Sequence, residues 1–353
     1  MEIKKFLTFA KIHVHSWSKH PFYLRNPRLK KIMKIKFTML IFLCIAVLLA
    51  FPLLGSTNIF TNAMGHEILI RLRIPRTLTA CFAGIALAVS GMIFQSLFRN
   101  PLATPFTLGV SGGAALGAAI WMRFGMALAF AGISGTSIAG FIGATGAVLL
   151  VYGLARSKTG FSTATLLLSG VAVNMFFSSL ILLMQYFSDP GETFRMIRWM
   201  MGGFSVVGYS APVNLAIFTA AGLIITALLT REMNLLLTGE ELAGARGLNV
   251  NRTKKLLFLA ASLMTGAAVA FCGPVAFVGL MVPHICRQIF GADHRRLFPA
   301  VILFGGMFMV VCDGLARTLL APIEMPAGLI TSLLGGPFFL WLLLKRDSQK
   351  AYS

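Results

Sequence analysis

Asp313 and Arg317 are the residues whose types and spacing first suggest chemistry. Of the 11 Asp and Glu residues, only Asp313 falls well inside a long apolar run, and Arg317 follows it four residues later. Side chains four residues apart lie on one face of a helix, so this spacing predicts an ion pair across one turn. A lone charge at the centre of a membrane costs about 2.5–3.5 kcal/mol, which such a pair offsets. A proton-relay transporter would need more residues of this kind, so the pair argues against one.

Motifs for catalysis or nucleotide binding do not occur in the sequence. There is no Gly-x-x-x-x-Gly-Lys-Ser/Thr motif, whose backbone would cradle phosphates, and no His-Glu-x-x-His motif. The five cysteines include no Cys-x-x-Cys pair and lie in or beside apolar runs, so we predict small buried residues rather than disulfides or metal ligands. We therefore expect a chain that is not an enzyme and that holds no cofactor or metal of its own.

Asn174, Ser178 and Gln185 form a polar stripe on the apolar run at 163–187. At 3.6 residues per turn, their helical angles fall within about 40° of one another. Polar side chains in membrane helices usually face other protein or a water-filled path. The stripe therefore predicts either the lining of a translocation path or hydrogen bonds between helices, and the sequence leaves both open.

The composition identifies the class of protein that must position these residues. The chain has 353 residues, of which 57% are hydrophobic and 12% are charged, whereas about a quarter of the residues of soluble domains are charged. Uncharged runs long enough to span a bilayer as helices, roughly 17–25 residues each, recur along the whole length. We predict an all-α polytopic membrane protein. The net charge of +20 then indicates basic cytoplasmic loops rather than a nucleic-acid partner.

The apolar runs predict about ten transmembrane helices. With the N-terminus inside, cytoplasmic segments hold 24 Lys and Arg residues and outer segments hold seven, so both termini are predicted to be cytoplasmic. The expected location is the plasma (inner) membrane. The predicted spans are 37–55, 77–98, 105–122, 128–154, 163–187, 211–230, 256–274, 275–290, 297–320 and 327–344.

The predicted permease domain, 37–346, lies between two cytoplasmic tails at 1–36 and 347–353. The first tail contains ten Lys and Arg residues, and it is too long and its following run too apolar for a cleaved signal peptide. Translation starting at Met33 would remove most of this tail, and the sequence leaves its role open.

A weak internal repeat supports the predicted topology. Gly84, Ala86, Ala88 and Gly91 recur 182 residues later as Gly266, Ala268, Ala270 and Gly273. The first copy runs inward and the second outward, so we predict a 5+5 inverted repeat of the kind found in many transporters.

The motifs of residues 73–117 resemble the signature of FecCD-type permeases, the membrane subunits of ABC importers for iron–siderophore complexes, haem and vitamin B12. The resemblance covers about residues 37–346. Further matching motifs are Trp199-Met-Met-Gly-Gly203, Gly239-Glu-Glu-Leu-Ala-Gly-Ala-Arg-Gly-Leu248, Gly279-Leu-Met-Val-Pro-His-Ile-Cys-Arg287, Asp313-Gly-Leu-Ala-Arg317 and Pro326-Ala-Gly-Leu-Ile330.

This resemblance implies a type II ABC importer permease with several partners. Two cytoplasmic ABC ATPase subunits would supply ATP and Mg²⁺ chemistry, and a second permease copy would complete a dimer within the membrane lipid. An extracytoplasmic substrate-binding protein would dock on the outer face. In the family, outer arginines meet acidic residues of that protein, and the matching positions here are Arg73, Arg76 and Arg317. Charges at outer helix ends are solvated enough to steer a partner, although anchoring of the helices is an alternative.

The resemblance also implies an ATPase-coupling loop at about 231–255. Thr238 can cap a short helix that Gly239, Glu240 and Glu241 begin, since acidic residues favour a helix N-terminus. Gly247 would end this helix after Ala245 and Arg246. A solvated loop helix without a partner is the alternative.

The substrate does not follow from the sequence. We expect an iron–siderophore complex, with vitamin B12 or haem as alternatives for the same machine. A secondary active transporter is the alternative of another class, and it fits the inverted repeat but lacks a coupling-ion site.

Overall fold

Helices form most of this chain, for which a computed structural model describes residues 27–55, 64–125, 129–130, 133–159 and 163–351. Most of the predicted N-terminal tail therefore lies outside the described residues. The helices in chain order are α1 Pro27–Ala50, α2 Gly65–Ile68, α3 Ile74–Leu97, α4 Val110–Arg123, α5 Gly135–Thr159, α6 Thr163–Tyr186, α7 Pro190–Met200, α8 Ser210–Leu228, α9 Thr230–Leu236, α10 Glu240–Ala245, α11 Val250–Cys272, α12 Val278–Phe290, α13 His294–Thr318 and α14 Ala327–Ala351.

Short irregular elements connect these helices. One turn of π-helix, Leu69–Arg73, joins α2 to α3, so the three form a continuous helix from Gly65 to Leu97. Turns of 3₁₀-helix lie at Phe51–Leu53 and Pro105–Leu108. The strands β1 Ala129–Phe130 and β2 Ile133–Ser134 pair antiparallel in front of α5, with Phe130 opposite Ile133.

The fold confirms the predicted all-α membrane architecture, with each predicted span falling on one helix. Seven helical segments of the described chain are long and apolar enough to cross a bilayer, and Ala327–Leu342 is a shorter apolar segment. Several helices extend beyond the predicted spans. The helix α1 begins at Pro27, inside the predicted basic tail, and α14 continues to Ala351, past the predicted span end at 344.

The third and eighth predicted spans are shorter than a bilayer. Helices α4 and α12 have 14 and 13 residues, or about 20 Å of helix against a hydrocarbon core of about 30 Å. A residue with positive φ turns the chain before each helix: Gly109 lies between a 3₁₀ turn and α4, and Phe277 lies between a non-helical segment and α12. Non-helical backbone is tolerated at membrane depth where protein covers it, and in the segment 273–277 two residues are buried and three are half-buried.

Helix α3 lies at the centre of the bundle, with most of its residues buried. Small residues allow its backbone to approach two neighbours closely, because a Cβ on Gly84 would lie 2.2 Å from the Gly305 carbonyl oxygen of α13. A Cβ on Gly91 would lie 1.9 Å from the carbonyl oxygen of Gly279 in α12. Gly84 and Gly91, two residues of the first copy of the predicted repeat, therefore lie at close contacts between helices.

The bundle has two ends, which we name by their residues. The arginine end contains Arg73, Arg76, Arg317 and helix α7, and the loop end contains helices α9 and α10. Helix α11 connects the two ends, since Lys254 near its start pairs with Glu240 and the carbonyl of Cys272 at its end accepts from the Gly203 amide.

Candidate functional site

Asp313 lies at the centre of a charge cluster at the arginine end. Its Oδ1 accepts from Nε of Arg76 at 3.0 Å, and its Oδ2 is 3.1 Å from Nε of Arg317. The Asp313–Arg317 pair predicted from the sequence is thus confirmed, and Arg76 joins it from α3. The other side of the Arg76 guanidinium donates to Oε2 of Glu324 at 2.7 Å. Two carboxylates therefore neutralise Arg76.

Arg73 and Arg317 cap the end of the first membrane helix. Arg317 donates to the carbonyls of Leu54 and Phe51 at 3.0 and 3.3 Å, and Arg73 donates to the carbonyl of Leu53 at 3.1 Å. The last carbonyls of a helix have no partners within it, and cations stabilise that end of the helix dipole. These two guanidinium groups therefore connect α1 and its 3₁₀ turn to α3 and α13 by hydrogen bonds.

The arginine cluster is less solvated than we predicted. Arg73 is 7% exposed and Arg317 is 3% exposed, because their guanidinium groups turn inward to the carbonyls and to Asp313. Arg76 is half-buried and lines both of the cavities that open at this end, whereas Arg73 and Arg317 line one of the two. The expectation that all three charges are solvated was wrong. Their role in docking a partner is a separate matter and stays a prediction.

Two adjoining cavities open beside Arg76, with volumes of about 360 and 350 Å³. Arg76, Phe204, Ser205 and Glu324 line both of them. The larger cavity, called here the α7 cavity, also has walls from α7, from the start of α5 and from the segment before α14, including Arg195, Arg198, Trp199, Ser137 and Pro326.

Arg195 and Arg198 are functional candidates that the sequence analysis did not identify. Both are exposed and lie on α7, which falls between the fifth and sixth predicted spans. The seven ion pairs found among the described residues include neither of them. Hydropathy could not detect α7 as a span because it is short and polar, but the Pro190 start and the charged face were available signals.

The predicted coupling helix exists at the loop end as α10, Glu240–Ala245. Its predicted cap was wrong, because Gly239 occupies the N-cap position and the Thr238 hydroxyl donates back to the carbonyl of Leu235 at 2.8 Å. The predicted end at Gly247 is confirmed. Gly247 has φ +83°, and the Leu248 amide donates to the carbonyl of Ala243, which together form a Schellman motif.

Ion pairs and hydrogen bonds attach the loop-end helices to the core. Glu240 contacts Lys254 of α11 at 2.6 Å and Arg99, beyond the end of α3, at 3.9 Å. Asn234 of α9 accepts from Nδ1 of His294 at 2.8 Å, and Nε2 of the same imidazole is 2.7 Å from the hydroxyl of Ser96 in α3. The loop-end helices therefore contact α3, α11 and α13 directly, whereas Glu241, Ala245 and Arg246 are exposed.

The polar stripe of α6 divides between two environments. Asn174 is half-buried and packs against Gly112 of α4, where a Cβ would lie 2.5 Å from its Oδ1. Ser178 is exposed and Gln185 is half-buried. The predicted choice between path lining and helix contact thus remains a prediction for Ser178 and Gln185, while Asn174 lies at a helix contact.

Comparison with known proteins gives the family of this fold. A model of the FecCD transport family matches residues 38–345, within the predicted domain at 37–346. The hemin transport system permease protein HmuU of Yersinia pestis is 41% identical over 87% of this chain and 91% of its own length. A vitamin B12 import system permease protein BtuC, from Klebsiella pneumoniae, is 38% identical over 80% of this chain and 84% of its own.

A solved structure shares the architecture. An inward-facing conformation of a putative metal-chelate type ABC transporter superimposes with a TM-score of 0.79 and 29% identity. The match covers 88% of this chain and 99% of that one. The arrangement of helices is therefore that of a type II ABC importer permease.

Proposed function

We infer from the fact that this chain belongs to the FecCD transport family that it is the membrane-spanning subunit of an ATP-driven importer. The single observation that carries this inference is the family match over residues 38–345, which covers both the arginine end and the loop end. ATPase and substrate-binding partners follow from the family. We propose two ATPase subunits at the loop end, a second permease copy, and a binding protein at the arginine end.

The proposed substrate is an iron–siderophore complex, delivered at the arginine end. Haem and vitamin B12 are the alternatives, since relatives of comparable similarity carry the names of hemin and vitamin B12 permeases. The structural relative described as metal-chelate type supports the broader class of bulky metal chelates.

The proposed docking site for the binding protein is formed by Arg73, Arg76 and Arg317. All three arginines line a cavity at this end, Arg76 lines both cavities, and its partner Glu324 is 44% exposed. Arg73 and Arg317 would act by holding the ends of α1 and α13 in place and by adding positive potential. Positive charge at the opening of a cavity raises the rate of encounter with an acidic partner and fixes its orientation.

The proposed ATPase contact is formed by Thr238, Gly239, Glu240, Glu241, Ala245, Arg246 and Gly247. The exposed face of α10 is available to a partner, while Glu240 holds the helix to Lys254 and Arg99. Force on this helix would reach α11 through an ion pair whose Lys254 side chain is only 5% exposed. For the translocation path we propose Asn174, Ser178 and Gln185, with Ser178 the most accessible.

Reconstitution tests the proposed function. The chain is assembled in proteoliposomes with an ATPase and a binding protein of its importer, and uptake of ferric siderophore, haem and vitamin B12 is measured. We expect uptake that requires ATP and the binding protein. Uptake driven by an ion gradient without ATP would instead identify a secondary active transporter.

A further inference from the structure

The α7 cavity contains more positive charge than its own carboxylates neutralise. Arg76, Arg195 and Arg198 line it, and Glu324 is its one lining carboxylate. Arg76 is already bound to Asp313 and Glu324, whereas none of the ion pairs among the described residues involves Arg195 or Arg198. Two guanidinium groups therefore remain available to an anion from outside the chain.

The remaining walls of this cavity are suited to a bulky organic molecule. Trp199, Phe204 and Phe271 supply aromatic surface, and Met122 and Met325 supply adaptable apolar surface. The hydroxyls of Ser134, Ser137 and Ser205 add hydrogen-bonding groups. Apolar walls with a few convergent polar groups are typical of small-molecule sites, and a volume of about 360 Å³ is within their usual range.

We propose that the α7 cavity is a binding site for the anionic groups of the incoming chelate, with Arg195 and Arg198 as its carboxylate-binding residues. Guanidinium groups bind carboxylates through two parallel hydrogen bonds, which a neutral amide or hydroxamate ligand cannot match. This proposal rests on the proposed function and narrows it. The substrate is an anionic iron chelate, such as a carboxylate siderophore or haem with its propionates, rather than uncharged vitamin B12.

The concave shape favours a chelate over an acidic side chain of a protein partner. The cavity has walls from five helices and the segment 202–205, so a ligand inside it is surrounded on several sides. An acidic residue of a docking protein could bind the exposed side of Arg195 and Arg198 without entering the cavity. The experiment distinguishes these two uses.

Fluorescence of Trp199 reports binding in the cavity directly. The other three tryptophans are removed by W17F, W121F and W341F substitutions, and the full chain is placed in phosphatidylcholine nanodiscs. Ferric citrate serves as the anionic probe, with a neutral ferric trihydroxamate and cyanocobalamin for comparison. We expect ferric citrate to quench Trp199 with a Kd about tenfold lower than that of either neutral probe.

Matched variants assign this preference to the two arginines. R195Q/R198Q should abolish the anionic preference, and R195K/R198K should retain part of it because charge remains. R71Q is the control, since Arg71 is exposed, belongs to the same end of the molecule and does not line the cavity. All variants should unfold at the same temperature as the parent protein because the changed side chains are exposed.

Three outcomes would overturn the proposal. These are equal affinity for anionic and neutral probes, no quenching by any probe, and a preference that persists in R195Q/R198Q. If R195Q/R198Q keeps the preference but no longer retains the binding protein in a pull-down, the two arginines form a protein-docking surface instead. The proposed function fails separately, if the reconstituted transporter shows no ATP-driven uptake of any chelate.

Discussion

Asp313 is the residue on which the arginine end most depends. It is 1% exposed and balances two arginines, so its loss would leave both guanidinium groups without their shared counterion. Removing one partner of a buried ion pair costs about 3–5 kcal/mol. We therefore expect Asp313→Asn to lower the unfolding temperature of the purified chain markedly in a nanodisc thermal scan.

Glu324→Gln provides the comparison for this prediction. Glu324 also pairs with Arg76, but it is 44% exposed, so water screens the pair. An exposed pair contributes about 0–1 kcal/mol, and the expected change in unfolding temperature is correspondingly small. Equal losses in the two variants would show that burial does not set the strength of this cluster.

The sequence predicted one of the two ion pairs of Asp313. The spacing of Asp313 and Arg317 by four residues is a local signal, and the pair forms as expected. Arg76 lies 237 residues from Asp313, and no local pattern links them. The burial of Arg73 could not be predicted either, because it depends on where α1 ends and presents the carbonyl of Leu53.

Helix α3 packs against α12 only because both lack side chains at their crossing. A Cβ at Gly91 would meet the backbone of Gly279, which cannot move without displacing α12. Overpacking of this kind costs about 1–3 kcal/mol. We expect Gly91→Ala to reduce the yield of folded protein and its unfolding temperature, as measured by size-exclusion chromatography in detergent and by thermal scanning.

Gly146→Ala in α5 is the matched control, since an added Cβ there meets no atom within 4 Å. Alanine also favours a helix over glycine, by about 0.5–1 kcal/mol. The control should be neutral or slightly stabilising. A loss in Gly146→Ala as large as that in Gly91→Ala would rule out close packing as the cause.

The Schellman turn that ends α10 tests the coupling role of this helix. Gly247 has φ +83° and open space around it, so Gly247→Val introduces backbone strain of about 1–2 kcal/mol without a clash. We expect this variant to hydrolyse ATP while transporting less substrate per ATP in the reconstituted complex. Gly244→Ala in the same helix also has open space but no positive φ, and its transport ratio should match that of the parent.

The two predicted ends of α10 had different outcomes. Gly247 ends α10 as expected, since glycine adopts the positive φ of a helix end at the lowest cost. Thr238 did not cap α10, because its hydroxyl reached back to Leu235 and left Gly239 at the N-cap. Hydropathy overestimated the lengths of α4 and α12. The non-helical residues before each helix are as apolar as those of a helix, so hydropathy does not separate the two.

The order of the long apolar helices followed from composition because a bilayer permits few alternatives. Every spanning segment must satisfy its own backbone hydrogen bonds, so apolar runs of sufficient length become helices. The positions of the cavities did not follow, since the α7 cavity combines residues from distant parts of the chain, such as Arg76 and Glu324.

The orientation of the whole molecule is the last prediction. The two ends are separated by helix α11, whose 23 residues span about 33 Å, so α7 and α10 should lie on opposite sides of the membrane. The excess of Lys and Arg in the segments at the loop end predicts that α10 faces the cytoplasm. The five native cysteines are all free and buried, so an added exposed cysteine would be the principal labelling site within the described chain.

We expect a membrane-impermeant maleimide to label Gly191→Cys in right-side-out vesicles and Arg246→Cys only in inside-out vesicles. Both positions are exposed, and Gly191 has no atom near a new side chain, so neither substitution should disturb the fold. The unmodified chain controls for background labelling. The reverse pattern would place the α7 cavity on the cytoplasmic side, and it would then exclude both docking of an extracytoplasmic binding protein at Arg76 and chelate capture by Arg195 and Arg198.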